Sequence, residues 1–84
     1  MISIILATYN NEETISDCIK SILNQTYANF ELIIINDCST DKTDKIIQSF
    51  KDKRIIYLKN LTNRGRSNCR NKAIKISKGK FIAI

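Results

Sequence analysis

Eighty-four residues, 43% hydrophobic and 26% charged, fit one small globular unit and exclude a disordered, collagen-like or mucin-like chain. The net charge of +6 is uneven: residues 1–41 set six acidic groups against Lys20, and residues 42–84 set thirteen Lys/Arg against Asp44 and Asp52. Histidine is absent, which excludes Ser–His and Cys–His catalysis, and Cys18, Cys38 and Cys69 form neither a C-x-x-C metal pattern nor a closed disulfide framework.

Ile2 to Leu6 is a β-branched, apolar run of the kind found in strands covered on both faces. Asn10 and Asn11 offer a helix cap, followed by Glu12 and Glu13 in the first turn. Ile15, Cys18, Ile19, Ile22 and Leu23 then form one helical stripe, which predicts a helix over about 12–25. Leu32 to Ile35, running into Asn36-Asp37, reads as a second buried strand. Asp37 to Asp41 is turn-like, with Ser39 and Thr40 as candidate caps. Ile46, Ile47 and Phe50 predict a short helix over about 43–51, and Arg54 to Leu58 a third strand. Residues 62–67 are a loop; Cys69, Ala73, Ile74 and Ile76 predict a helix over about 66–77, with Gly79 as its stop. Lys80 to Ile84 begins a fourth strand.

The order β-α-β-α-β-α-β predicts an α/β fold, a Rossmann-like parallel sheet with right-handed crossovers, strand order 3-2-1-4 and helices on both faces. Ligands bind such sheets beyond the carboxyl ends of the strands, at the point where the order reverses. The loops after Ala7, Ile35 and Leu58 converge there. The apolar finish at 81–84 reads as the front part of a larger domain, cut within an element. No apolar run approaches the roughly 18 residues that span a bilayer, and MISIILATYN lacks the basic start of a signal peptide. With mostly buried free thiols, this points to the cytoplasm.

Three loop features carry chemistry. Tyr9, at the end of strand 1, either stacks a base or sugar ring or packs on a neighbouring loop. Asp37, at the end of strand 2, either accepts from a base N–H or ribose hydroxyl or caps its own loop. Arg64, Gly65, Arg66 and Arg70 bring charge and free N–H groups to a helix start, with Arg66 the preferred phosphate or base contact. No G-x-G-x-x-G follows strand 1, so a dinucleotide-type cradle is unsupported.

Ser3-Ile4-Ile5-Leu6-Ala7-Thr8-Tyr9-Asn10, Ser21-Ile22-Leu23-Asn24-Gln25-Thr26-Tyr27, Phe30 to Asp41, and Asn63-x-Gly65 through Cys69-Arg70-Asn71 occur in the order seen in one family. Together they resemble the family 2 glycosyltransferases of the GT-A fold, over essentially the whole chain. The resemblance implies the nucleotide-sugar-binding part of an inverting sugar transferase in cell-surface polysaccharide or glycoconjugate synthesis. It implies a uridine diphosphate sugar as donor. Tyr9 would flank the uracil, Asp37 would bond its N–H edge, and the backbone of Ala7 and Thr8 would lie against the nucleoside. Asn63, Gly65 and Arg66 would belong to the loop that closes over base and phosphate.

The family often has proline where this chain has Ala7. Its metal-binding D-x-D, which would hold Mg²⁺ or Mn²⁺, falls just past Ile84, and its catalytic base and acceptor site fall further on. The resemblance therefore assigns no catalytic or metal-ligating residue here, and implies that residues 1–84 alone transfer no sugar. Implied partners are the nucleotide-sugar donor and a carbohydrate or lipid-linked acceptor, at the cytoplasmic face of a membrane. A basic nucleic-acid-binding module is the competing reading, but its aromatic residues are few and not interleaved with the basic ones. A receiver-like domain with Asp37 as phosphoacceptor lacks the acidic cluster after strand 1.

Overall fold

The computed structural model describes residues 1–83, with side chains through Lys80. Seven elements alternate: β1 (Ile2–Thr8), α1 (Ile15–Leu23), β2 (Phe30–Asn36), α2 (Thr43–Gln48), β3 (Ile55–Lys59), α3 (Arg66–Ile76) and β4 (Lys80–Ala83). The strands are parallel and lie in the order β3-β2-β1-β4. Thr8 is in register with Asn36, and Asn36 with Lys59, so three strands end level at one rim. The last residue expected in strand 4, Ile84, lies outside the described residues.

β2 is the middle of the core. All seven of its residues are buried, because helices cover the sheet on both faces and each side of the pleat needs an apolar set. One face packs Ile4, Leu6, Leu32 and Ile34 against Ile15, Ile19 and Ile22 of α1 and Ile47 of α2. Among the described side chains, the other packs Ile5, Ile33 and Ile35 against Cys69 and Ala73 of α3. Full burial of such a side chain stabilises by about 1.5–3 kcal/mol.

The apolar stripe expected for α3 is narrower than its sequence suggested. Ile74 and Ile76 are more than a third exposed, because only the Cys69–Ala73 line, one turn apart, meets the sheet. Of the thiols, Cys69 alone is buried; Cys18 and Cys38 are half-buried, against the expectation of mostly buried thiols.

α1 starts later and stops sooner than the predicted 12–25, and Thr14 occupies its cap position. Asn11 does not cap it by side chain. Its Oδ1 turns back to accept from Thr8 Oγ1 at 2.7 Å and Tyr9 N at 3.0 Å, while its carbonyl receives the N–H groups of Thr14 and Ile15. α2 stops at Gln48, short of 51, where the Ser49 hydroxyl bonds back to the Ile46 carbonyl.

Gly79 does not terminate α3; Ser77, in extended conformation, does. Gly79 is needed for a close approach instead. A Cβ there would stand 2.4 Å from the Met1 carbonyl oxygen, where Lys80 joins the β1 edge. Its N–H donates to Ser3 Oγ, and Ser3 Oγ–H donates in turn to the buried Glu31 carboxylate, which also receives the Lys78 N–H. This buried network ties the 77–79 turn to the starting ends of β1 and β2.

Candidate functional site

The strand rim is built from three loops. The loop after β1 is fastened to the loop after β2 by bonds spanning about thirty residues. Thr40 N–H donates to Asn10 Oδ1 at 2.8 Å, Asn10 N–H to Ser39 Oγ at 3.0 Å, and Asn11 N–H to Thr43 Oγ1 at 2.9 Å. Glu12 N–H donates to Asp41 Oδ2 at 3.2 Å. Ser39 is itself held by Asn36 Oδ1, which lies fully buried at the end of β2. Ser39 and Thr40 therefore clasp the neighbouring loop instead of capping a helix. Asp41, at the end of the turn-like stretch after β2, accepts backbone N–H groups from Glu12 and Thr43. Both of its oxygens are committed to loop geometry.

Between these loops and α3 lies a cavity of about 150 Å³. Ala7, Thr8 and Tyr9 form its β1 side, Asp37 its β2 side, and Arg66 and Cys69 its α3 side, with Asn11 at the margin. Five of the seven residues expected from sequence thus line one cavity: Ala7, Thr8, Tyr9, Asp37 and Arg66. Tyr9 is 47% exposed and lines the cavity. Asn63 and Gly65 do not line the cavity. They stand behind Asp37, where Gly65 N–H donates to Asp37 Oδ2 at 2.9 Å and Asn63 Oδ1 at 3.2 Å.

Asp37 is the polar centre of this arrangement, only 5% exposed. Its Oδ1 accepts from Asn60 Nδ2 at 3.0 Å and Arg64 N at 2.8 Å, and its Oδ2 from Gly65 N. Burial alone would raise the carboxyl pKa; the donors from Asn60, Arg64, Gly65 and the Cys69 thiol outweigh it and hold the group ionised below its ordinary value. Asn60 and Arg64 both bond Oδ1 and Gly65 alone bonds Oδ2, with the Cys69 thiol a weak further donor, so Oδ2 is the less occupied oxygen. The next residue, Cys38, takes a left-handed φ of 64° and donates its thiol to the Leu61 carbonyl. This turns the chain sharply after Asp37.

Gly65 has φ 88° and ψ 158°, a region open essentially to glycine. That conformation lets two successive N–H groups, Arg64 and Gly65, converge on one carboxylate while α3 begins immediately at Arg66. Arg66 and Arg70 also border a second cavity of about 260 Å³ on the other side of Ala7 and Thr8. Arg70 Nε is buried there without a partner among the described residues.

Among the described residues, no three Asp, Glu, His or Cys side chains come together as a metal site. No described helix is long and apolar enough to cross a membrane.

Sequence reasoning missed Asn60 and Asn11. Asn60 looks like an ordinary polar residue after a strand, yet it is 4% exposed and bonds Asp37. Its position one residue past β3, level with Asp37 past β2, was the available signal.

Comparison with known proteins shows the family and the fold. The family model described as "Glycosyl transferase family 2" matches residues 3–84. The chain is 49% identical over 83 residues to the Escherichia coli UDP-Glc:alpha-D-GlcNAc-diphosphoundecaprenol beta-1,3-glucosyltransferase WfaP, covering 99% of this chain and 33% of that protein. It is 38% identical over 87 residues to the Bacillus subtilis teichuronic acid biosynthesis glycosyltransferase TuaG, described as putative, covering 99% of this chain and 34% of TuaG. The crystal structure of S. aureus TarS 1-349 in complex with UDP-GlcNAc superposes with a TM-score of 0.88 at 31% identity, covering 98% of this chain and 26% of that one. The chain spans about a third of the length of the curated relatives it matches. A family match across residues 3–84 and a shared parallel α/β fold carry the same conclusion: the chain belongs to glycosyl transferase family 2.

Proposed function

We propose that these residues form the donor-binding part of a transferase that moves a sugar from a uridine diphosphate sugar, with inversion, to an acceptor hydroxyl in cell-surface polysaccharide synthesis. The observation that carries the reading is Asp37: an ionised, buried carboxylate that lines the cavity with Oδ2 its less occupied oxygen, beside an exposed tyrosine and an arginine at a helix start. The cavity of about 150 Å³ is of a size to admit one flat ring, not a whole nucleotide sugar. In this reading the uracil enters it, donates its N–H to Asp37 Oδ2 and lies against Tyr9. The backbone of Ala7 and Thr8 borders the ribose. Asn63 and Gly65 act at one remove, by holding Asp37 and the start of α3, and Arg66 meets the diphosphate as a charge-assisted donor.

The relatives support the donor and the setting. WfaP is named for UDP-Glc and a diphosphoundecaprenol-linked acceptor, and the matching TarS structure holds UDP-GlcNAc. A lipid-linked acceptor would bring the protein to the cytoplasmic face of a membrane. Loss of a diphosphate leaving group calls for a divalent cation, Mg²⁺ or Mn²⁺, and inverting transfer for a carboxylate base. No catalytic or metal-binding role is assigned to any of the described residues.

An amide-resolved NMR titration with uridine diphosphate tests the assignment. The expected shifts fall on Thr8, Tyr9, Cys38 and Arg66 and spare Lys75. Asp37→Ala should weaken binding by about tenfold, the value of one hydrogen bond to a charged group, and Lys75→Ala should not. Equal effects of the two substitutions would overturn the site.

A further inference from the structure

The Asp37 carboxylate is not positioned by its own loop alone. Asn60, one residue beyond β3, is fixed at its backbone, where its N–H donates to the Asn36 carbonyl at 2.8 Å. Its side chain is 4% exposed and spans two charged groups. Nδ2 donates to Asp37 Oδ1 at 3.0 Å, and Oδ1 accepts from Lys72 Nζ at 3.0 Å. The two ends of the amide are not interchangeable here. A lysine ammonium has only donors and an ionised carboxylate has only acceptors. Asp37 and Lys72 therefore favour the same rotamer, and Lys72 anchors the amide end that Asp37 does not hold.

That choice has a consequence at the base. With Asn60 and Arg64 filling Oδ1 and only Gly65 bonding Oδ2, Oδ2 is the oxygen left to a base edge. A base edge with an N–H at the ring nitrogen, as in uracil, satisfies it. A ring nitrogen that only accepts, as in cytosine, leaves two acceptors face to face, which is the stronger kind of discrimination. We infer that Asn60, held by Lys72, is a positioning residue that fixes the Asp37 carboxylate and thereby sets preference for uridine over cytidine nucleotides. The inference rests on the nucleotide reading of the cavity, and Lys72 is an exposed residue of α3 outside the cavity lining.

The experiment compares the affinities of the chain for uridine and cytidine diphosphates in wild type, Lys72→Met, Lys72→Arg and Asn60→Asp. The Asn60 side-chain amide signals are followed in ¹⁵N spectra without nucleotide. In Lys72→Met the uridine preference should fall about threefold, the value of one hydrogen bond. The Asn60 amide signals should shift, and melting should stay near wild type. Lys72→Arg, which keeps a donor, should restore the preference. Asn60→Asp sets a second carboxylate against Asp37 and should abolish it; if that variant does not fold, the lysine pair still decides. A wild-type preference retained in Lys72→Met, with unmoved Asn60 signals, would overturn this inference alone. Equal affinity of the wild type for both nucleotides would overturn the nucleotide reading beneath it.

Discussion

The Gly65 N–H donates to Asp37 Oδ2 at 2.9 Å across 28 residues of chain, and this bond joins the end of β2 to the start of α3. Glycine is required on one side because φ is 88°, and an acceptor is required on the other because Arg64 N–H converges on the same carboxylate. The bond sets where α3 begins and hence where Arg66 stands.

Asp37→Asn keeps the shape and replaces one acceptor oxygen with an N–H donor. That places donor against donor at Gly65 or at Asn60 and Arg64. The expected cost is about 1–3 kcal/mol, the penalty of leaving a buried polar group unpaired. Chemical denaturation should show a lower midpoint with an unchanged slope. Wild-type stability would mean that the 64–65 loop is held by something else.

Gly65→Ala and Gly79→Ala should both destabilise, for different reasons. Nothing lies within 4 Å of a Cβ on Gly65, so the cost there is backbone strain alone, about 1–3 kcal/mol. D-alanine at 65, in a synthetic chain, should recover most of it. At Gly79 the obstacle is the Met1 carbonyl oxygen at 2.4 Å, which is backbone and cannot swing aside. The loss there should appear as faster amide exchange at Lys80, whose N–H bonds that oxygen. Equal rescue by D-alanine at both positions would contradict the distinction.

Acid sensitivity should come from buried carboxylates. Burial would raise the Glu31 pKa, but the Lys78 N–H, the Ser3 hydroxyl and the Lys78 charge together hold it below its ordinary 4.5. Asp37 is likewise held below 3.8. A folded pKa below the unfolded one adds stability that is fully present above the unfolded value and lost as pH falls through the folded value. Stability should therefore hold steady well above pH 4.5 and decline below it. Glu31→Gln should be less stable than wild type at neutral pH and show a shallower acid decline. An unchanged slope would remove Glu31 from the account.

At the alkaline end the sign reverses. Tyr57 donates its hydroxyl to Asp44 Oδ1 at 2.6 Å and receives Asn36 Nδ2 at 2.9 Å. Burial, with Asp44 close by, pushes the phenol up from 10.0 to about 12. Its contribution is complete below pH 10 and disappears as pH rises through about 12. Tyr57→Phe leaves the buried Asn36 amide without that acceptor and should cost about 1–3 kcal/mol at neutral pH. Thermal unfolding between pH 7 and 10 should show the full difference; a difference that grows with pH would contradict it.

The elements that bury apolar side chains on a regular period were legible before the structure. Ile2 to Leu6, Leu32 to Ile35 and the Ile15–Ile19–Ile22 stripe each declare their geometry locally. Tyr9, Asp37 and Arg66 were legible because a parallel sheet exposes loop residues at one rim. What escaped were residues whose partners are distant in sequence. Asn11 looked like a helix cap but bonds Thr8 and Tyr9. Asp41 looked like part of a local turn but also holds Glu12 of the neighbouring loop, and Asn60 was marked only by its level with Asp37. Gly79 showed the same limit. Its small size suggested a helix stop, and the actual constraint is a strand edge 78 residues away in the chain.

The central claim, that the rim cavity takes a uridine nucleotide, is tested most directly by saturation-transfer NMR of this chain with uridine, guanosine and adenosine diphosphates at low and moderate salt. The expected result is selective transfer to the uracil ring protons that persists as salt is raised, because Asp37 and Tyr9 read the base at close range. Unselective contact that disappears with salt would contradict it, and would leave the basic residues of the second half as the only attraction.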